Sequence, residues 1–564
     1  MKLKLLSLAA IFGVLVLASC SKSGKTGLLV PEDASIVVTI NSQSLSEKIT
    51  WQEIQASEWY KEIQSKGTND DTALTALISQ PEKSGVDIKA GFAFFMKSQN
   101  NGGYLAFQGK LKNAADFEAA LKSLKKDINI QKKDDLSYTN MDDNAVLTWN
   151  SSRFIFVADA PMNVANEMMG AGGRANRFGT DSLFIFAKNT YALSGKKLLD
   201  SDKRFADLVT GKGDLHYWIS AEKMYNSSLA GGILSMMKFN TLIEGNINTG
   251  TLSFENGKIA LGGEQFYGKE LAKLMDKHPT DGISADLINR LPSGDALAAG
   301  VYKLSVPMII DVIKLVGADG IANSYLGKEN LSLDEIAAAF KGDIAFALTG
   351  IEKTPVTNTY EGYDGKPESY TYEKENPKLV VGISVVQDKF NKLYNMFMKE
   401  MGPSKPNDIF IKNEKDWFIV GTDSAAQETF LAGNNKPNYA DKLKGHNLNF
   451  FINIPQLLGS FSRSTDDSIS NAMLDLSKAT WLEFVANSDY KKGKSTYNME
   501  VQLSDKNINS LKQINQYADK MNALQKQQRA KWQTIEYAPV DTVVAVPDVA
   551  VPAPPVVAPA KPKK

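Results

Sequence analysis

The residue with the most recognisable chemistry is Cys20, which is the only cysteine in the chain. It closes the string LASC, which follows two lysines and a short apolar run over residues 5–17. A charged start followed by a short apolar run is typical of a secretory signal peptide. The string itself matches a bacterial lipobox, in which the cysteine thiol takes a diacylglycerol. We therefore predict a lipoprotein signal peptide over residues 1–19 and lipidation of Cys20; the alternative is an ordinary signal peptide with an incidental cysteine.

A second group of residues suited to binding lies in an insertion between the apolar segments around Ala345 and Val380. The Asp364-Gly365 pair in this insertion is a strong hairpin-turn signal, so we expect a projecting two-stranded ribbon. A tyrosine ring offers apolar area and a hydroxyl, which suits contacts with a protein or a sugar. The alternative is a ribbon that packs its tyrosines on its own protein. The candidate partner surface consists of Tyr360, Tyr363, Tyr370 and Tyr372.

The remaining residues of types that can catalyse reactions or bind metals are not arranged in a recognised motif. The three histidines, at positions 216, 278 and 446, have no HExxH or His-x-His spacing. Neither a GxSxG nucleophile motif nor a calcium-binding loop is found. Paired carboxylates occur in polar, turn-like segments, where solvated loop charge is the ordinary interpretation. We predict no catalytic residue, no metal ligand and no cofactor; the paired carboxylates lie at 70–71, 134–135, 142–143 and 466–467.

The length and composition of the chain exclude several classes of protein. The chain has 564 residues, 43% of them apolar, and 64 basic residues balance 64 acidic ones. This length allows several packed units, and the charge balance gives no reason to expect a nucleic-acid partner. One cysteine excludes an intramolecular disulfide framework and a cysteine-cluster metal site. No segment after the signal peptide has the length and apolarity of a membrane span.

The two ends differ from the rest of the chain. Residues 20–27 are small and polar and are expected to form a tether. An apolar stripe predicts a C-terminal helix over 506–538, capped by Ser504 and either docked on the protein or, alternatively, forming a coiled coil. Residues 539–564 contain seven prolines and predict a disordered tail or an extended spacer.

The order of predicted elements repeats along the middle of the chain. A Val30-Pro31 opening and a Leu291-Pro292 opening each lead into a strand, helices, further strands and a final antiparallel pair. Antiparallel hairpins between helices favour an α+β fold rather than alternating βαβ units. We therefore predict two similar α+β repeats, over residues 28–279 and 280–505, that pack against each other.

Three features of the sequence are similar to those of a known family. They are the lipobox, the Val-Pro-Glu-Asp-Ala opening at residues 30–34 and the duplicated order of elements. The chain resembles an uncharacterised domain-of-unknown-function family of Bacteroidetes-type envelope lipoproteins. The resemblance covers nearly the whole mature chain, and it implies location and architecture without bringing any catalytic residues.

These observations favour a lipid-anchored, non-catalytic binding or scaffolding protein of the bacterial cell envelope, with an envelope protein or glycan as partner. Residues 21–26 contain neither an inner-membrane retention signal nor an acidic surface-export signal. We therefore expect the periplasmic face of the outer membrane, with the oligomeric state left open. The alternatives are a carboxylate-based hydrolase acting in a cleft between the repeats, and a carrier or chaperone for lipid or exported protein.

Overall fold

The structure is a computed structural model, and it describes most of the chain between Gly27 and Glu536. Predictions for residues 1–26 and for the proline-rich tail therefore lie outside the described residues. The described ranges are 27–66, 83–99, 102–124, 127–160, 178–225, 238–280, 282–361, 365–402, 409–460 and 467–536.

Within these ranges eighteen strands form one antiparallel sheet, so the predicted α+β fold is confirmed. The strands are β1 Ile36–Ile40, β2 Phe92–Gln99, β3 Gly102–Lys110, β4 Gln131–Lys133, β5 Leu136–Asp142, β6 Ala145–Trp149, β7 Arg153–Asp159, β8 Leu215–Ser220, β9 Ile247–Glu255, β10 Lys258–Phe266, β11 Ala298–Lys303, β12 Phe340–Glu361, β13 Pro367–Val385, β14 Phe410–Glu414, β15 Trp417–Gly421, β16 Leu448–Asn453, β17 Trp481–Lys491 and β18 Lys494–Leu503.

Nineteen α-helices are described, and none of them is both long and apolar enough to cross a membrane. They are α1 Ser42–Lys48, α2 Trp51–Ala56, α3 Glu58–Lys66, α4 Ala114–Leu124, α5 Thr180–Tyr191, α6 Leu198–Ser201, α7 Lys203–Thr210, α8 Ala221–Tyr225, α9 Asn240–Ile243, α10 Lys269–Lys277, α11 Ala285–Ile288, α12 Val306–Leu315, α13 Asp319–Leu326, α14 Leu333–Ala339, α15 Gln387–Met401, α16 Ser424–Ala432, α17 Ile454–Gly459, α18 Ser468–Thr480 and α19 Ser510–Glu536.

The sheet has a junction at its middle, where β10 pairs with β18. Counting outward from this junction, one side runs β10-β9-β8-β1-β2-β3-β7-β6, and β5 and β4 extend it. The other side runs β18-β17-β16-β11-β12-β13-β15-β14. The two sides therefore have the same strand order, whereas the predicted boundary between residues 279 and 280 stays a prediction.

The pairing of β10 with β18 at the junction is close to twofold symmetric, both in its register and in the residues of the two strands. Gly262 pairs with Asn498 at the middle of the nine paired positions. Lys258 forms an ion pair with Glu500 at 2.8 Å, and Lys494 forms one with Glu264. Lysine precedes glutamate by the same spacing on both strands, so the two ion pairs occupy equivalent places. Backbone pairing and two ion pairs thus join the two sides of the sheet.

The sheet has two faces that we name after a residue on each. On the Trp218 face, helices of the first side cover one core, in which the Phe205 ring lies 5.7 Å from Trp218. A separate core on the same face contains Phe430 of α16, whose ring lies over Gly382 of β13. On the Tyr497 face, α1 and α4 cover a third core around Phe92 and Phe154. Helices therefore bury both faces on the first side.

Two helix starts have clear local causes. After β1, a new helix begins at Trp51 because Thr50 and Glu53 form a capping box that starts α2. The C-terminal helix begins at Ser510 rather than after a Ser504 cap. The Asp505 carboxylate instead accepts the backbone N–H groups of residues 507 and 508 and forms a turn before the helix.

Candidate partner-binding surface

The insertion in the second side forms the expected ribbon. Strands β12 and β13 continue beyond their neighbours in the sheet through twelve cross-strand pairs, from Gly350–Lys378 to Glu361–Pro367. At about 3.3 Å per residue the ribbon extends roughly 40 Å. Gly365 has a φ of +73°, which the expected turn requires and which glycine adopts readily. The sequence therefore folds locally into a hairpin that leaves the body of the sheet.

Three of the four predicted tyrosines share one face of this ribbon. The Tyr370 and Tyr372 rings are stacked with centroids 5.9 Å apart, and the Tyr360 ring lies 6.2 Å from Tyr370. The exposed fractions are 51% for Tyr360, 54% for Tyr370 and 44% for Tyr372. The rings contact each other while keeping about half of their surface open to solvent. Tyr363 lies outside the described residues.

Hydrogen bonds fix the orientation of two of these rings. Tyr360 donates its hydroxyl proton to Glu368 Oε2 at 2.7 Å, and this bond raises the pKa of Tyr360. The Asn358 side chain donates to the Tyr370 hydroxyl at 2.9 Å. The tyrosine face is thus a cluster of aromatic rings bordered by an amide and a carboxylate, a combination suited to a ligand with both apolar and hydrogen-bonding groups.

The opposite face of the ribbon has no aromatic ring among its described residues. The hydroxyls of Thr357 and Thr371 lie 2.8 Å apart on this face. At the base of the ribbon, Lys378 pairs with Glu352 at 3.3 Å on the tyrosine face. Exposed ion pairs of this kind contribute about 1 kcal/mol or less. The two faces therefore share a backbone but differ in chemistry.

The histidines do not come together as a pattern of ligands. His216 is buried on β8 with Nδ1 3.0 Å from Thr251 Oγ1, whereas His446 and His278 contact Asp489 and Asp311 at 2.5 and 2.8 Å. Hydrogen bonds from His278 and Lys277 lower the pKa of Asp311. In the described part of the chain, no group of three or more His, Cys, Asp or Glu residues is arranged to hold a metal ion.

Two of the predicted carboxylates, Asp134 and Asp467, have local structural contacts. Asp134 accepts a hydrogen bond from Lys188 at 2.8 Å, which lowers its pKa. Asp467 caps α18 by accepting the backbone N–H of Ser470. At the junction, Glu264 and Glu500 are each paired with a lysine. These contacts favour structural roles over a pair of acid and base.

Sequence reasoning missed a buried carboxylate, Asp214, which directly precedes β8. It is fully buried and accepts hydrogen bonds from Ser44 Oγ at 2.6 Å, Lys48 Nζ at 2.5 Å and the Phe254 backbone N–H at 2.6 Å. This network attaches α1 to β8 and β9. No sequence motif predicts this network, because Ser44 and Lys48 lie far from Asp214 along the chain.

A small cavity lies beside this network. Its lining includes Asn41, Lys89 and His216, and its volume is about 40 Å³. Sites for small molecules usually measure about 300–1,000 Å³, whereas one water needs roughly 10–15 Å³ on the same measure. The cavity therefore fits a few waters and is too small for a metabolite.

Comparison with known proteins places the chain in a family. A family model described as a domain of unknown function, DUF4836, matches residues 27–357, which is more than half of the chain. The chain belongs to the DUF4836 family. The predicted resemblance to a domain of unknown function is thus confirmed at this level. The DUF4836 match includes the first side of the sheet and ends within β12 in the ribbon. Neither the curated proteins nor the solved structures contain a match.

Proposed function

We propose that this DUF4836 protein is a non-catalytic binding or scaffolding lipoprotein of the bacterial cell envelope, of the Bacteroidetes type. It is held on the periplasmic face of the outer membrane by a lipid on Cys20. The ribbon carries this proposal: a cluster of three half-exposed tyrosines on a projecting hairpin offers a contact surface away from the packed body. Aromatic residues are enriched at the centres of binding interfaces.

The ribbon also supports binding because its structure is hard to explain by folding alone. A two-stranded hairpin is marginally stable in water, and residues 357–361 and 365–375 of this one are all exposed. A long exposed segment with aromatic rings on one face is therefore better explained by contact with a partner. An envelope protein or glycan suits the combination of rings, amide and carboxylate.

The test is crosslinking and capture from the protein's own envelope. Replacing Tyr370 and Tyr372 with Ser should weaken capture about thirty-fold, because anchor residues contribute about 2 kcal/mol or more to binding. The matched control replaces Thr357 and Thr371 with Ala on the opposite face and should leave capture unchanged. Unchanged capture by the tyrosine variant would refute the ribbon as a partner surface. A fall in melting temperature matching the loss of capture would instead assign the rings to folding.

Anchoring is tested separately. Cys20→Ala should release the protein from the membrane fraction or leave the precursor unprocessed, whereas Ser23→Ala in the tether should change neither. Unchanged fractionation together with unchanged fatty-acid labelling would contradict lipidation at Cys20. Removal of the protein by protease added to intact cells would contradict the periplasmic face.

A further inference from the structure

The Tyr497 face of the sheet is apolar across the junction. Its central row contains one residue from each of eight neighbouring strands, from β9 to β13. The rows on either side also lack charged residues. On the Trp218 face of the same junction strands lie the two lysine–glutamate pairs. The central row includes Leu252, Leu261, Met499, Ala486, Phe450 and Phe346.

The apolar row is incompletely covered. Met499 is 38% exposed, and Leu252, Leu261, Phe450 and Phe346 are partly exposed. On the Trp218 face, by contrast, Trp218 and Phe451 are each 2% exposed. Apolar side chains left accessible over many neighbouring strands are unusual for a packed core and mark a binding surface.

Helices flank this row at both ends of the strands. At one end the Trp481 ring of β17 lies 5.5 Å from Tyr517 of α19. At the other end the Tyr490 hydroxyl of β17 lies 3.3 Å from the Ala272 carbonyl oxygen of α10. Next to α10, helix α12 is apolar except at Asp311 and Lys314, yet only its Ile310 is buried. The sheet floor and its flanking helices therefore form an apolar trough across the strands.

Two tyrosines on the trough floor are paired with each other. The Tyr217 and Tyr497 rings lie over Gly250 and Gly263, where a side chain would collide with them. Their hydroxyls are in contact, and the Tyr497 hydroxyl lies 2.8 Å from the Thr249 carbonyl oxygen. Burial raises the pKa values of both tyrosines, so both stay neutral. These groups offer few hydrogen bonds to a ligand.

We infer that this trough binds the acyl chains of a two-chain membrane phospholipid. A peptide in the trough would bury backbone N–H and C=O groups with few partners, which is unfavourable, whereas a hydrocarbon chain has no such groups. Eight strands spaced at about 4.8 Å span roughly 34 Å. One acyl chain spans about half of the roughly 30 Å hydrocarbon core of a bilayer. The two chains of a phospholipid, extended in opposite directions along the trough, would together match this length, whereas a single fatty acid would fill about half of it.

The test uses the full chain, reconstituted through its own anchor in phosphatidylethanolamine vesicles that contain a phospholipid with a photoreactive acyl chain. Illumination should attach this lipid to peptides of β10, β17 and β18. Met499→Glu places a charge in the trough and should reduce this labelling at least ten-fold. Asn498→Glu, next to it on the same strand but on the Trp218 face, should leave labelling unchanged.

Three results would overturn the inference. The first is no labelling of the trough peptides in the wild type. The second is an equal loss of lipid labelling in both variants. The third is capture of a protein partner by the wild type that disappears only in Met499→Glu. If Met499→Glu lowers the melting temperature, Met499→Gln replaces it, and labelling unchanged by that variant would also overturn the inference. The outcome is independent of the ribbon, whose tyrosine variant should label normally.

Discussion

Hairpins β2–β3 and β12–β13 occupy the same place on the two sides of the sheet, yet they differ in length and burial. The first ends at the edge of the sheet, and its Phe95 and Ala106 are fully buried. The second continues for twelve further pairs, and these are largely exposed on both faces. Because the shorter hairpin completes its side of the sheet, we conclude that the fold does not require the extension.

The largest effect should come from the core of the shorter hairpin. Phe95→Ala removes a ring that is 0% exposed and should lower the free energy of unfolding by about 3–5 kcal/mol. Tyr372→Ala in the ribbon should lower it by about 1 kcal/mol or less. Urea unfolding of both variants measures the contrast. Similar losses in the two variants would show that the ribbon is as well packed as the sheet.

A glycine in each hairpin gives a finer comparison. A side chain at Gly109 would lie 2.7 Å from the Phe154 ring and 2.8 Å from the Phe92 ring, whereas one at Gly350 would meet nothing within 4 Å. Gly109→Val should therefore lower the free energy of unfolding by about 1–3 kcal/mol. Gly350→Val should change it by about 0.5 kcal/mol or less. Loss of stability in the second variant would reveal a contact on the ribbon.

Two tyrosines that donate to carboxylates should respond differently to high pH. Burial and the hydrogen bond to Asp276 raise the pKa of Tyr490 to about 12, against about 10 in an unfolded chain. The folded state therefore favours the protonated form of Tyr490. The resulting contribution of Tyr490 to the free energy of unfolding is complete below about pH 10 and is lost as the pH rises through about 12.

Tyr360 also has a raised pKa, but it is exposed on the ribbon. Its ionisation should therefore change the stability of the fold very little. Unfolding measured between pH 9 and 12 should become less pH-dependent in Tyr490→Phe and stay unchanged in Tyr360→Phe. Equal pH dependence in the wild type and Tyr490→Phe would show that Tyr490 does not link ionisation to folding.

The smallest effect is expected from removing the ribbon. Replacing residues 352–376 with Asn-Gly leaves the Ile351–Pro377 pair next to a two-residue turn. The melting temperature, measured by calorimetry, should change by less than about 3 °C because the removed residues contribute little buried surface. A fall of about 10 °C or more would show that the ribbon belongs to the cooperative fold.

Local patterns in the sequence determined the fold class, the repeated order of elements and the ribbon. Alternation of apolar residues predicts strands, and Asp364-Gly365 predicts the turn, because both signals depend on neighbours along the chain. The tyrosines of the ribbon could be proposed for the same reason. Residues Tyr370 and Tyr372 are two positions apart on one strand, so alternation alone places them on one face.

Only the tertiary structure decided which distant groups meet. Asp214 is satisfied by Ser44 and Lys48, and Tyr217 meets Tyr497 across the junction. The apolar trough likewise depends on the pairing of β10 with β18, which brings together segments from both sides. Apolar alternation in those strands predicts one buried face, and the partial exposure of Met499 follows only from where the helices lie. Sequence periodicity fixes the direction of a side chain, whereas long-range pairing and packing fix what covers it.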